Sequence, residues 1–388
     1  MKVGALVRGA LAVEVVRGLP ALADLRDAWI ALEGCSGDPD FFQSFAWSMQ
    51  VAEARVRSDA QRYEPAAAVG RRHGEIVALW PLALIRSAGQ TELRCIDDPF
   101  GQLAGLLAAD QTAGEELVTG TLRIAQATRM ADAASFERVI EGSTLSRALL
   151  TAGARPRGVV DAPFVTFGAF ESFEALKASR NKKSMRNMRN SIHRLDRAGH
   201  VESVMVRDAA GVLAIGRTTL ANREQWLSAT GRTAPAFRVA GFADILLGES
   251  HWGLAEKRAG LELRLNGASL AQQLGFIHAN RYYAYVSGMD WAHEALRPGA
   301  VHFGLVLEAA MAAGCSAAEM LTPASDYKMM WTDQVHRLSD LALPLSKAGR
   351  VKQTLWDDGL RPALKTVYHA MPAPLRRAVN GLAHVARA

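Results

Sequence analysis

The spacing of apolar positions along the chain separates short strand-like runs from longer helical ones. Leu11–Arg17 suits a first strand, and Pro20–Leu32 a helix with a proline near its start. The stretch "FFQSFAWSMQVAEARV" predicts a helix with Ser44 as N-cap. "AAAVGRRHGEIVALWPLALI" predicts a hairpin turning at Arg72–Gly74, and "ELRCIDD" a further strand. Thr112–Arg129 suits a helix, Ala134–Ile140 a strand, Ser143–Thr151 a short helix and "PFVTFGAF" a strand.

The second half has the same flavour. A basic helix over residues 178–199 precedes the strand "HVESVMVR" and helices over Ala209–Leu227 and Phe237–Leu247. "LELRLNGASLAQQLGFIHANRYYAYVSGMD" predicts three strands, with turns at Asn266–Gly267 and Asn280–Arg281. A helix opened by Pro298–Gly299 and closed by Gly314 follows, then strands in "SAAEML" and "QVHRLSDLALPL". The order predicts a mixed α/β (α+β) fold with antiparallel pairs rather than a strict βαβ repeat. A twofold repeat of one α/β unit is compatible with it.

Composition narrows the class. The 388 residues are 49% hydrophobic and 22% charged, which describes globular protein with a substantial core, in two domains or one large one. Three widely spaced cysteines with no CxxC pair argue against a disulfide framework and for a reducing compartment. Arg8, Glu14 and Arg17 interrupt the mildly apolar N-terminus, which does not read as a signal peptide. With no run of about 20 apolar residues, a cytoplasmic location is expected, with membrane contact at most peripheral. The histidines lack zinc-type spacing, and GxSxG, Walker A and GxGxxG patterns are absent, so no metal is expected.

The net charge of +6 is modest, but its distribution is not even. "ASRNKKSMRNMRNSIHRLDRAGH" sets seven Lys or Arg against Asp196 alone. At helical spacing Met185, Met188, Ile192 and Leu195 form an apolar stripe, flanked by Lys182, Arg186, Arg189, His193 and Arg197. Such a helix docks by its methionine face and shows cations beside it. It is either a solvated surface helix or a binding face for an anionic ligand. No interleaved aromatics support a nucleic-acid reader. A second basic block begins at Lys347, where eight Lys or Arg stand against Asp357 and Asp358. Its apolar residues suggest two amphipathic helices separated at Pro372 and Pro374, with Arg361, Lys365, Arg376 and Arg377 alongside. These helices either cap the preceding domain or bind an anion reversibly, at a membrane surface or on a cyclic dinucleotide.

Candidate chemistry lies between these blocks. Arg297, Pro298 and Gly299 open a helix after a strand and a loop carrying Asp290. Free first-turn amides, the helix dipole and a guanidinium there suit a phosphate or pyrophosphate. In "SDYKMMW", Tyr327 can protonate a leaving thiolate and Lys328 can hold an anion, with Trp331 beside them. Packing of Tyr327 and Trp331 is the alternative. Arg223 and Trp226 stand near a helix end.

The order of the basic helix, the Arg-x-x-Trp helix, "LAQQLGFIHANRYYAYVSGMD", "RPGAVHFGLVLEAAMAAG" and "DYKMMW" resembles the GNAT-like acetyltransferases of bacterial cellulose and exopolysaccharide clusters (the CelD/BcsL type), relatives of the Fem-type aminoacyl transferases. The resemblance is clearest over about residues 160–335 and extends weakly to "FFQSFAWSMQVAEARV" and "DDPFGQLAG". It implies two tandem GNAT-like domains, each a largely antiparallel sheet flanked by helices. The expected divisions are residues 1–170, residues 171–345 including the basic helix, and a helical tail over residues 346–388. The basic helix is then expected to line the cleft between the domains or face an anionic ligand there.

The resemblance further implies acyl transfer from acetyl-CoA to an amine or hydroxyl of a sugar or polysaccharide precursor. It places catalysis on Tyr327, Lys328 and a carboxylate, Glu319 or Asp326. Donor binding falls on Pro298 and Gly299, and acceptor binding on Arg223, Trp226, Asp290 and Trp331; the helix-start reading adds Arg297 to the donor site, and the basic helix adds Arg186 and Arg189 to the acceptor site. Two departures stand out: Glu319 occupies a position where the family carries Asp, and "TPAS" replaces an Arg-Gly stretch. The rival reading is a GNAT-fold binding or regulatory protein controlled through its basic tail.

Overall fold

The computed structural model describes residues 11–35, 40–87, 89–232, 234–355 and 371. Arg361, Lys365, Arg376 and Arg377 of the tail lie outside them. The chain divides into two compact units, the described residues of Met1–Val159 with Leu338–Gln353, and those of Val160–Arg337 and Thr354–Ala388.

The first unit carries β1 (Ala12–Arg17), α1 (Leu19–Ala23), α2 (Arg26–Leu32), α3 (Phe45–Asp59), β2 (Tyr63–Arg72), β3 (Glu75–Ser87), β4 (Gln90–Cys95), β5 (Leu107–Ala108), α4 (Gln111–Ala127), β6 (Ala133–Ile140), α5 (Thr144–Thr151) and the start of β7 (Arg155–Thr166). The second carries the rest of β7, then α6 (Phe173–Ser179), α7 (Lys182–Ala198), β8 (Val201–Val206), α8 (Ala209–Thr230), α9 (Phe242–Leu247), β9 (Arg258–Leu265), β10 (Ala268–His278), β11 (Arg281–Met289), α10 (Pro298–Ala312), β12 (Ala317–Glu319) and α11 (Asp326–Met329). The strand β13 (Val335–Pro344) leads back to the first unit, which α12 (Lys347–Lys352) completes.

Each unit holds a mixed sheet flanked by helices. In the first the order is β1-β2-β3-β4-β6-β13, antiparallel except for β4 beside β6. In the second it is β7-β12-β11-β10-β9-β8, antiparallel except for β11 beside β12. Both parallel pairs are joined by a helical crossover, α4 or α10, as parallel pairing requires. The expected fold class is therefore observed, and the twofold repeat is explicit in the topology.

The unit boundaries differ from those expected at 170 and 345. The second half of β7 pairs with β12, Thr166 opposite Ala317, and the second half of β13 pairs with β6, Leu338 opposite Ile140. Each unit thus takes a strand end from the repeat next to it in sequence, a partnering between distant segments that local patterns do not encode.

Most local signals act as read. Ser44 Oγ accepts from Trp47 N at 3.4 Å and caps α3, and Asp110 caps α4 through Ala113 N at 2.8 Å. His73–Gly74 and Asn266–Gly267 have positive φ at both residues, as two-residue hairpins between right-twisted strands need. The turn expected at Asn280–Arg281 lies one residue earlier, at Ala279–Asn280, because Arg281 already pairs with His278. The Pro20–Leu32 helix is broken between α1 and α2, and Phe237–Leu247 is a 3₁₀ turn followed by α9, separated at Gly241, which takes the left-handed φ of 85°.

The core of the second unit sets the site. On α7 the predicted stripe is the docked face: Met185, Met188 and Leu195 are buried and Ile192 is half-buried. It packs on α10, where Gly304 leaves room for Met188 and for the Trp331 indole.

Candidate active site

The parallel strands β11 and β12 pair only over Arg281–Tyr283 and Ala317–Glu319. Past that point β12 ends while β11 runs on to Met289. Strands that part in this way leave a crevice at their C-terminal ends, a common place for ligands in α/β proteins. A cavity of about 400 Å³ is found here, lined by the end of β11, by Gln273 of β10, by α8, by the start of α10 and by Tyr327 of α11.

Its walls differ in character. Arg223 lies with its guanidinium 4.2 Å from the Trp226 ring centroid, Arg232 approaches the same ring at 5.0 Å, and Trp291 stacks on Trp226 at 6.4 Å. Burial pulls the Arg223 pKa below the usual arginine range. Among the described residues neither Arg223 nor Arg297 forms an ion pair. Among the described residues the cavity therefore presents two guanidinium groups with no carboxylate within ion-pair distance, although Glu294 shares the lining. Opposite them, Ser287 donates to Gln273 Oε1 at 2.6 Å, and Asn222 donates to Gln272 Oε1 at 2.8 Å, which fixes the polar floor. Gly288 carries no side chain because a Cβ there would meet the Thr219 carbonyl of α8.

The start of α10 supplies the third wall. Arg297 precedes it in the left-handed region, with φ 56° and ψ 46°, and makes no side-chain cap. The first-turn amides therefore lack a capping partner, and Gly299 and Ala300 line the cavity. One turn on, His302 is buried with both ring nitrogens unpartnered, and it too lines the cavity. Burial lowers its pKa to about 3, so the imidazole is neutral. Tyr327 is 37% exposed and packs edge-on against Phe303 at 5.2 Å. Burial raises its phenol pKa, against the pull of the Arg223 charge, so the hydroxyl is a proton donor at neutral pH.

Of the residues expected from sequence, Arg223, Trp226, Arg297, Gly299 and Tyr327 share this cavity. Pro298 is buried at the first position of α10. Asp290 is engaged locally, accepting from Ala292 N and His293 Nδ1, each at 2.9 Å. Glu319 is not on the cavity. It is wholly buried, with Arg281 at 2.6 Å and His336 at 3.0 Å on its two oxygens. Asp326 is exposed in the first turn of α11. Lys328 is buried and donates to the Leu321 and Pro323 carbonyls at 2.9 and 3.1 Å, pinning the loop before Tyr327. Desolvation lowers its pKa to about 8. Trp331 is fully buried against Phe173. Arg186 and Arg189 line a different groove, beside α7.

Sequence reading missed Asn222, Gln273, Ser287, Trp291, Glu294 and His302. Only His302 left a signal, as a lone imidazole within the apolar "HFGLVLEAAMA". Gln273 and Ser287 become neighbours only through strand register, and Asn222 of α8 and Trp291 and Glu294 of the turn before α10 join them only through the packing of those segments on the sheet.

The acetyltransferase (GNAT) domain family matches residues 182–329, from the start of α7 to the end of α11. The cavity-lining residues all fall within that span. No curated protein matches by sequence. Among solved structures the chain is similar to FemX, with a TM-score of 0.60 at 10% identity over 86% of this chain and 98% of that one. It is also similar to a conserved protein of unknown function from Bacteroides thetaiotaomicron, with a TM-score of 0.52 at 13% identity over 85% and 100%. At these identities the likeness is one of fold, and it extends over both units. Among the described residues no group of side chains is arranged to hold a metal, and no helix is long and apolar enough to cross a membrane.

Proposed function

We propose that the second unit transfers an acyl group, with acetyl-CoA as donor, directly to the amine of a sugar or polysaccharide precursor. The observation that carries this reading is the cavity where β11 leaves β12, bounded by the uncapped start of α10 and by Tyr327. The residues present fit a phosphate-bearing thioester. Arg297 and the amides of Gly299 and Ala300 can hold phosphate oxygens, and the unpartnered His302 nitrogens offer a hydrogen bond inside the cavity. Bound there, acetyl-CoA supplies an activated carbonyl.

The chain's own groups then act by position and proton transfer. Trp226 and Trp291 form an apolar wall for one face of a sugar ring, and Arg223 orients its polar substituents. Holding the amine against the carbonyl supplies much of the rate. As the new C–N bond forms and the C–S bond breaks, Tyr327 Oη gives its proton to the departing sulfur. The amine proton passes to Glu294, the one carboxylate lining the cavity among the described residues, in place of Glu319 and Asp326.

Mass spectrometry of purified full-length protein with acetyl-CoA and a panel of amino sugars tests the proposal. Acetylated product with release of equimolar free thiol is expected. Tight CoA binding without product on any amine acceptor would turn the reading toward a binding protein.

A further inference from the structure

A groove of about 680 Å³ lies in the second unit between α6, α7 and α10, separate in its lining from the cavity at β11. Its rim carries Lys182, Lys183, Arg186 and Arg189, all exposed. Among the described residues none of the four forms an ion pair. Its floor is aliphatic and aromatic: Phe173, Met188, Ile192 and Leu305. Two acids, Glu174 and Glu308, share the lining, and Glu174 is already paired with Lys177.

The placement of these cations is unfavourable for the helix alone. The first turn of α7 has no acidic residue, and Lys182 and Lys183 stand where the helix dipole favours negative charge. Asn181 caps the amides of Lys183 and Ser184, so the helix end is satisfied but its field and its side chains are both positive. An anion at the rim removes that conflict. A nucleic acid would meet a rim without stacking aromatics, whereas the concave apolar floor suits a hydrocarbon chain, and methionine adapts its shape to such a guest.

We propose that this groove binds an anionic membrane lipid, with the phosphate held by Arg186, Arg189 and the lysines of the first turn and an acyl chain laid along Met188, Ile192 and Leu305. The occupant is an amphiphile, and its binding brings the chain to a membrane surface. The inference does not depend on the acyl-transfer reading.

Vesicle co-sedimentation with the full-length chain tests it. Vesicles of phosphatidylcholine alone are compared with vesicles in which one lipid in three is phosphatidylglycerol. Binding to the anionic vesicles only is expected. Removing a cation near the surface costs roughly fivefold in partitioning, so Arg186→Gln with Arg189→Gln should weaken binding by roughly 25-fold. The same charge change at Arg62 and Arg123 on the first unit is the control and should act far less. Calorimetry with short-chain phosphatidylglycerol and with glycerophosphoglycerol separates lipid from free phosphodiester, and the chain-bearing ligand alone should bind at the groove. Equal binding of both ligands, equal losses in both pairs of variants, or undiminished binding by the α7 variant would each overturn the proposal. The four arginines are exposed, so unchanged melting temperatures verify that the variants remain folded.

Discussion

The Arg281 guanidinium lies 2.6 Å from Oε1 of Glu319, and His336 Nε2 lies 3.0 Å from its other oxygen. The carboxylate is wholly buried, and Phe164 stacks on the His336 ring at 4.1 Å. This cluster ties β11, β12 and β13 together below the point where β11 and β12 part. Glu319→Gln removes the charge that Arg281 and His336 share. It should cost about 3 kcal/mol of stability, as expected when one member of a buried ion pair is lost. Turnover of the folded variant, assayed well below its melting temperature, should stay within about threefold of wild type. A large fall in turnover with unchanged stability would restore Glu319 as a catalytic base.

Tyr327→Phe keeps the ring against Phe303 and removes the hydroxyl. Turnover should fall by roughly 100-fold, because proton transfer to the sulfur is lost, while the urea midpoint hardly changes. Normal turnover would make Tyr327 a packing residue.

Arg297→Gly separates side chain from backbone. The left-handed conformation at φ 56° costs an arginine about 1 kcal/mol more than a glycine. The variant should therefore be as stable as wild type or slightly more so. Its affinity for CoA, measured by calorimetry, should drop about tenfold through loss of a charge-assisted contact. Unchanged affinity would exclude Arg297 from the donor site.

His302→Leu exchanges a buried ring with two unpartnered nitrogens for an apolar side chain. Without a ligand role for the ring, such a change is neutral or stabilising. The expected combination is undiminished melting temperature with turnover reduced about tenfold or more. Because burial holds the ring near a pKa of about 3, wild-type rates should show no inflection from this residue near neutral pH. Equal turnover in wild type and variant would leave His302 without a part in the reaction.

In the first unit, Asp97 is buried, accepts from Trp47 Nε1 at 2.8 Å, and has its pKa raised to about 7, chiefly by desolvation. The unfolded chain releases this proton near 3.8, so the stabilising contribution of the protonated form is complete below that value and is lost as pH rises through about 7. Asp97→Asn cannot ionise and should flatten the stability profile across this window, by at most roughly 4 kcal/mol. Urea denaturation of both proteins at several pH values reads the difference. Parallel profiles would show that Asp97 ionises in the folded protein as it does in the unfolded chain.

Sequence alone determined the local elements, because caps, turn residues and apolar spacing act over a few residues. Ser44 caps α3, Asn266–Gly267 turns a hairpin, and Met185, Met188 and Leu195 bury one face of α7. It also placed Arg223, Trp226, Arg297 and Tyr327 among candidate site residues, and these four share a cavity. Tertiary structure decided the rest. The seating of Glu319 between Arg281 and His336, the inward position of His302 and the exchange of the β7 and β13 ends depend on register between segments far apart in the chain. A one-residue change of register reverses which face a strand residue occupies. Residue type and spacing can therefore nominate a carboxylate for chemistry, but only the assembled sheet determines whether it faces a cavity or an arginine.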